Sequence, residues 1–147
     1  MADNVRSFEH YLETQGLAQN NVNSIIQDSK GFIWMGTDDG LSRFDGYNFV
    51  NYDNDNSGNG LSNSSIRSLA ESPSLNILWI GTQDGGLTSF NYKSKIFKKI
   101  KPFNKNYDIS KSQISKIVDD TNHKCIYIGV LGKGLFRYYY NTKKLRI

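Results

Sequence analysis

The sequence predicts an all-β protein: a partial β-propeller of three four-stranded antiparallel blades plus one orphan N-terminal strand. Three observations predict it. The chain repeats itself at intervals of 45 and 48 residues, each copy breaks into four short β-rich runs, and no segment holds a capped helical period.

The repeat is legible residue by residue. Gly16-Leu17-Ala18-Gln19-Asn20-Asn21-Val22 returns as Gly60-Leu61-Ser62-Asn63-Ser64-Ser65-Ile66. Ile33-Trp34-Met35-Gly36-Thr37 returns as Leu78-Trp79-Ile80-Gly81-Thr82 and, more weakly, as Ile126-Tyr127-Ile128-Gly129-Val130. Gly40-Leu41 with Phe44 matches Gly86-Leu87 with Phe90, then Gly134-Leu135 with Tyr138. One partial propeller over 1–147 thus divides into copies at 16–59, 60–108 and 109–147. A β-sandwich would not explain a Trp-Gly landmark at fixed spacing.

Within a copy, the alternation of Val22, Ser24 and Ile26 and the run Phe32-Ile33-Trp34-Met35 favour strands. Ser29-Lys30-Gly31, Asp38-Asp39-Gly40 and Asp45-Gly46 punctuate them with turn residues. Phe8-Glu9-His10-Tyr11 stands before Gly16-Leu17 as Phe49-Val50-Asn51-Tyr52 stands before Gly60-Leu61, so residues 5–12 read as the outermost strand of a blade lacking its other three. Phe97-Ile100 and Leu145-Ile147 close the later copies. Propellers need about four to eight blades to close. Three leave two blade faces uncovered, and the chain reads as a fragment expected to form homo-oligomers through those faces.

Composition narrows the function classes. The 147 residues (16.7 kDa) are 37% hydrophobic and 13% aromatic, enough for one domain with a core. No run approaches the roughly 20 apolar residues of a membrane span, and no apolar segment of a secretory signal follows Met1–Arg6. A single Cys125 forbids an internal disulfide, and with two histidines it leaves a protein-only zinc site without ligands. The net charge of +4 is divided unevenly. Residues 1–92 carry four Lys/Arg against eleven Asp/Glu, and residues 93–147 carry fourteen against three. Such a basic half suggests an anionic polymer, or lysines that keep strand edges soluble.

Trp34, Trp79 and Tyr127 share one slot on the second strand; recurrence once per blade favours packing over a sugar platform. Gly36, Gly81 and Gly129 then allow close backbone approach. Asp53-Asn54-Asp55-Asn56-Ser57-Gly58 imitates the opening of a calcium loop, but Ser64 stands where that loop needs a bidentate Glu, so a polar turn is expected. His123-Lys124-Cys125 lacks a third metal ligand, and Cys125 aligns with apolar Phe32 and Ile77, predicting a buried thiol. Gly129–Gly134 lacks the Lys-Ser/Thr pair of a phosphate loop. Adjacent acids such as Asp38-Asp39 and Asp119-Asp120 point apart in extended chain. Lys93, Lys95, Lys98, Lys99 and Lys101 flank Ile96 and Phe97, where edge protection is preferred to nucleic-acid binding. No enzyme activity, metal or cofactor is expected.

A four-stranded meander puts the loop before the first strand and the loop between strands two and three on one face. That face collects Gln19, Asn20, Asn21, Asp38 and Asp39, then Asn63, Ser64, Gln83 and Asp84, then Lys111, Ser112 and Lys133. Of these, Asn20, Asn21, Asp38, Asp39, Asn63, Gln83, Asp84 and Lys133 are the candidate ligand-binding residues, since amides and carboxylates at a channel mouth suit polyhydroxylated ligands.

The pattern Gly-Leu-x-x-Asn/Ser-x-Val/Ile, followed by the run from Asp28 to Tyr47, resembles the regulator-propeller repeat of the extracytoplasmic sensors of bacterial hybrid two-component systems. The resemblance spans Phe8 to the end, strongest in the first copy and weakest in the third, where Tyr127 replaces Trp and Val130 replaces Thr. It implies a non-catalytic, periplasmic or extracytoplasmic sensor segment that recognises a glycan and signals to a kinase beyond a membrane segment, neither of which lies in this chain. The alternatives are a structural or protein-interaction propeller without a small ligand, and an anionic-polymer binder acting through the basic half.

Overall fold

The computed structural model describes residues 7–54, 60–101, 107–141 and 144–146. Among them, twelve strands form three four-stranded antiparallel sheets, each a meander in chain order. Blade one holds β1 (Val22–Gln27), β2 (Ile33–Thr37), β3 (Gly40–Phe44) and β4 (Phe49–Tyr52). Blade two holds β5 (Ile66–Ser72), β6 (Ile77–Thr82), β7 (Leu87–Asn91) and β8 (Phe97–Lys99), and blade three β9 (Ile114–Asp120), β10 (Cys125–Val130), β11 (Gly134–Tyr139) and β12 (Lys144–Arg146). The described helix amounts to two single 3-10 turns, Glu13–Gln15 and Pro73–Leu75, and a 3-10 residue at Tyr107. The expected all-β fold of three blades is therefore present. Residues 7–12, the described part of the expected orphan strand, pair with no described strand, as a strand without the rest of its blade must. Val5 and Arg6 lie outside the described residues.

Consecutive blades meet face to face along two seams. β1 packs along β5, and β5 along β9. Each seam has its own apolar cluster: Trp34 and Leu41 of blade one meet Leu61, Ile66, Leu78, Ile80 and Phe90, while Trp79 and Leu87 of blade two meet Ile109, Ile114, Ile126, Ile128 and Phe136. Period-2 alternation explains this division. Trp79 and Gly81 point forward along the chain of blades, and Leu78 and Ile80, between them, point back.

The recurring glycine is required by the seam. A Cβ on Gly36 would stand 2.4 Å from Cγ2 of Ile66, and one on Gly81 would stand 2.5 Å from Cγ2 of Ile114. The first residue of each inner strand thus seats on the glycine of the blade before. One turn further, Gly40 (φ 111°) donates its N–H to the carbonyl of Ser64 at 2.8 Å, and Gly86 (φ 68°) donates to Ser112 at 3.2 Å. The φ of 111° at Gly40 favours glycine, and at Gly86 a Cβ would stand 2.4 Å from the Ile109 carbonyl oxygen.

The two outward faces show the same positions without a neighbour. Leu41 and Leu87 are buried, whereas Leu135, their counterpart in blade three, is 59% exposed. Leu69 and Ile117 are buried, whereas Ile25, their counterpart in blade one, is 63% exposed. Tyr11 nevertheless seats on Phe44 and Phe49 at 5.0 and 5.8 Å, much as Tyr52 seats on Phe90 and Phe97 at 5.5 Å each. The last residues of the expected N-terminal strand keep their place although the ladder is missing.

Candidate functional site

The loops preceding each blade's first strand and those joining its second and third lie together at one end. The Asp38 N–H bonds the Asn21 carbonyl at 3.2 Å, Gln83 repeats this with Ser65 at 2.9 Å, and Leu131 with Gln113 at 3.0 Å. These loop ends are held by backbone, so their side chains are presented in equivalent places from blade to blade.

Across the first seam the polar side chains link into one line. Asp38 accepts from Asn21 Nδ2 at 3.0 Å and from Asn23 Nδ2 at 2.9 Å, and its Oδ1 lies 3.1 Å from Arg67 Nη1. Arg67 Nε donates to Gln83 Oε1 at 2.9 Å, and the guanidinium Nη2 also reaches that oxygen. Asn23 donates in addition to the Ile66 carbonyl at 3.0 Å, tying blade one to blade two. The hydrogen bonds from Asn23 and Asn21, with a smaller contribution from the Arg67 charge, hold the Asp38 carboxyl below its ordinary range. Asn21, Asp38, Arg67 and Gln83 thus form a continuous set of donors and acceptors about a partly exposed ion pair.

The other predicted residues stand apart from this line. The Asn20 side chain is occupied with the preceding turn, accepting from the Glu13 N–H at 2.9 Å. Asn63 closes its own turn on the Ser65 N–H at 3.0 Å. The Asp39 N–H is held by Thr37 Oγ1 at 3.2 Å, and Asp84 is exposed. Lys133 donates to the Asp108 carbonyl at 2.7 Å, in the third blade. Arg67, which completes the line, was not singled out from the sequence. Its position aligns with Asn23 and Ser115 on the inner strands, and it is one of four basic residues in the acidic half; those two facts were the available signal.

The repeat landmarks are structural in place. Trp34 and Trp79 are 1% and 2% exposed, and each indole N–H is satisfied, by Asp28 Oδ2 at 2.8 Å and Ser72 Oγ at 2.7 Å. Asp28 also accepts from the Lys30 and Phe32 N–H groups, both at 2.9 Å, closing the turn between β1 and β2. Tyr127 in the third blade is half-buried, and a Cβ on Gly129 would stand 2.9 Å from Ser115 Oγ and 3.7 Å from the Lys116 backbone, all within its own blade. Cys125 is buried, and burial pushes its thiol up. Among the described residues no three His, Cys, Asp or Glu side chains gather as a metal set, and no helix is long and apolar enough to cross a membrane. Residues 55–58 of the calcium-like run lie outside the described residues.

Fold and site together define a class. Residues 16–39 match the family described as two component regulator propeller. The extracellular domain of the hybrid two component system BT3049 of B. thetaiotaomicron has a similar structure, with a TM-score of 0.83 and 26% identity over 95% of this chain and 20% of that one. The extracellular domain of BT4673, from the same organism, superimposes with a TM-score of 0.71 at 24% identity over 86% of this chain and 16% of that one, a likeness of fold. Histidine kinase P4 of Formosa agariphila is 45% identical over 47 residues, or 32% of this chain and 3% of that protein. The resemblance read from Gly16 to Tyr47 therefore stands, and the three blades are similar to those in the sensor regions of two component systems. The chain spans only a small part of the length of each protein it matches.

Proposed function

We propose that the chain is a non-catalytic portion of the extracytoplasmic, periplasmic sensor propeller of a hybrid two-component protein. Its loop face takes part in recognising an oligosaccharide, and occupancy is relayed to a kinase elsewhere in the whole protein. The observation that carries the sensor reading is the likeness, over 95% of the chain, to an extracellular domain of a hybrid two component system. The line from Asn21 through Asp38 and Arg67 to Gln83 supports the ligand class: amides, a carboxylate and a guanidinium offer the mixture of donors and acceptors that sugar hydroxyl groups take up. The line crosses a seam, so a bound sugar would hold two blades together.

A glycan array probed with the chain and with Arg67→Ala tests this reading. A bound oligosaccharide whose affinity falls about tenfold in the variant supports it. A glycan bound equally by both places recognition elsewhere, and no glycan bound at all favours the structural or protein-interaction propeller. The basic half supplies the remaining alternative, with Lys98, Lys99 and Lys116 exposed on strands. Retention on heparin that collapses with salt would favour an anionic polymer.

The outward faces support pairing between copies of this chain. Val22, the counterpart of Ile66 and Ile114, is 37% exposed, and Gly129 offers the seat that Gly36 and Gly81 offer them. Head-to-tail contact would place Val22 of one copy on Gly129 of the next. Light scattering reporting a monomer at low and high salt would refute that contact.

A further inference from the structure

The second seam contains a cavity of about 280 Å³, lined by Leu75, Ile77, Trp79, Ile100, Tyr138 and Tyr140 together with polar Ser89, Lys98 and Asn141. Its origin lies in the repeat. At the first seam, the corresponding places hold Phe32 for Ile77, Arg43 for Ser89 and Tyr52 for Ile100. Tyr52 stacks there on Trp34 at 5.8 Å, and the Arg43 guanidinium lies 4.6 Å above the Phe32 ring. Two aromatic rings and a guanidinium have thus given way to two isoleucines and a serine, around a tryptophan and a tyrosine that both seams keep.

We infer that this cavity is a binding site for a small aromatic carboxylate. Size sets the first limit: small-molecule sites run from about 300 to 1,000 Å³, so this one holds a single-ring ligand. The walls set the second. Trp79 and Tyr140 stack at 6.3 Å with 12° between their planes, and Tyr138 lies 5.7 Å from Trp79, leaving an aromatic and aliphatic lining. An apolar cavity of roughly half this volume takes up benzene, and this one, open to solvent beside exposed Lys98 and Asn141, has room for a ring with a polar substituent. Charge sets the third. Lys98 is exposed, makes no ion pair among the described residues, and belongs to the strongly basic half of the chain. An aromatic ring against Trp79 and a carboxylate toward Lys98 satisfy both kinds of lining. The site is separate from the loop face, and neither reading depends on the other.

Calorimetry and ligand-observed NMR with 4-hydroxybenzoate on the full chain test it, with benzyl alcohol as a neutral probe. The expected result is saturable binding of the carboxylate with a Kd on the order of 1 mM, suited to a single-ring ligand. Lys98→Gln, a change at an exposed side chain, weakens the carboxylate about five- to tenfold and leaves benzyl alcohol unchanged. Ile100→Tyr with Ser89→Arg, which rebuilds the first seam's filling, abolishes binding of both probes. Absence of saturable binding, or binding that neither variant alters, overturns the inference.

Discussion

The seam between blades one and two and the seam between blades two and three are built on one plan and filled differently. Both seat a β-branched residue on a glycine, Ile66 on Gly36 and Ile114 on Gly81, and both bury a tryptophan. The first then packs five rings together: Trp34, Tyr52, Phe90, Tyr92 and Phe97. The second has Trp79 with Tyr138 and Tyr140 and an open volume of about 280 Å³. Their buried polar centres differ too. The carboxylate of Asp28 holds the first indole, whereas Ser72 gathers Trp79, Asp119 and Tyr140 around one hydroxyl. The difference teaches that the repeat dictates where blades touch and leaves the filling of each seam free to vary.

The largest expected effect is the loss of an indole. Trp34→Ala should cost about 3–5 kcal/mol, and Trp79→Ala less, because part of its ring already borders empty space. Urea denaturation measures both, and equal losses would break the comparison. Asp28→Ala should follow at about 2–3 kcal/mol, since it strands the indole N–H and two turn amides together. Ser72→Ala, measured in the same way, should cost about 1–2 kcal/mol.

Smaller effects sharpen the glycine seats. Gly36→Ala and Gly81→Ala should each destabilise by about 1–3 kcal/mol, because the added methyl group meets an isoleucine of the next blade. Gly129→Ala, whose methyl group crowds a rotatable serine hydroxyl and otherwise makes ordinary contacts with the Lys116 backbone, should stay within about 0.5 kcal/mol. Matching losses at all three sites would show that the glycine serves its own blade and not its neighbour. The smallest effect is electrostatic. Because the Asp38 carboxyl titrates lower in the folded chain than its ordinary value of 3.8, its contribution to stability is complete above that value and is lost as pH falls through the lower folded pKa. A carboxyl carbon titration by NMR placing Asp38 at or above 3.8 would contradict the hydrogen bonds from Asn23 and Asn21.

The blades were legible because repetition multiplies weak local signals. One Ile-Trp-Met-Gly-Thr run is an ambiguous apolar segment, but its return as Leu-Trp-Ile-Gly-Thr fixes a register. The loop end was legible from meander topology, which gathers Asn21 with Asp38 and brings Asn63 and Ser64 to the end that holds Gln83, although the residue that bonds Gln83 is the next one, Ser65. Arg67 escaped because its alignment partners, Asn23 and Ser115, share its place without sharing its charge. The cavity escaped because it arises from departures from the repeat, and Tyr52 to Ile100 reads in sequence as one apolar residue for another. The orphan strand expected over 5–12 left its mark in Tyr11, which packs on Phe44 and Phe49 as its repeat counterpart Tyr52 packs on Phe90 and Phe97.

The capped indoles carry one more consequence. Among the described residues each seam owns one tryptophan N–H, donated to a carboxylate in one case and a hydroxyl in the other. Each proton must leave its acceptor before it can exchange, and each indole is buried against the neighbouring blade. Exchange of the two indole protons with deuterated water therefore clocks two separate openings within one molecule. The Trp34 proton should be the slower, and the ratio of the two rates gives the relative grip of the seams under native conditions, with no denaturant and no substitution.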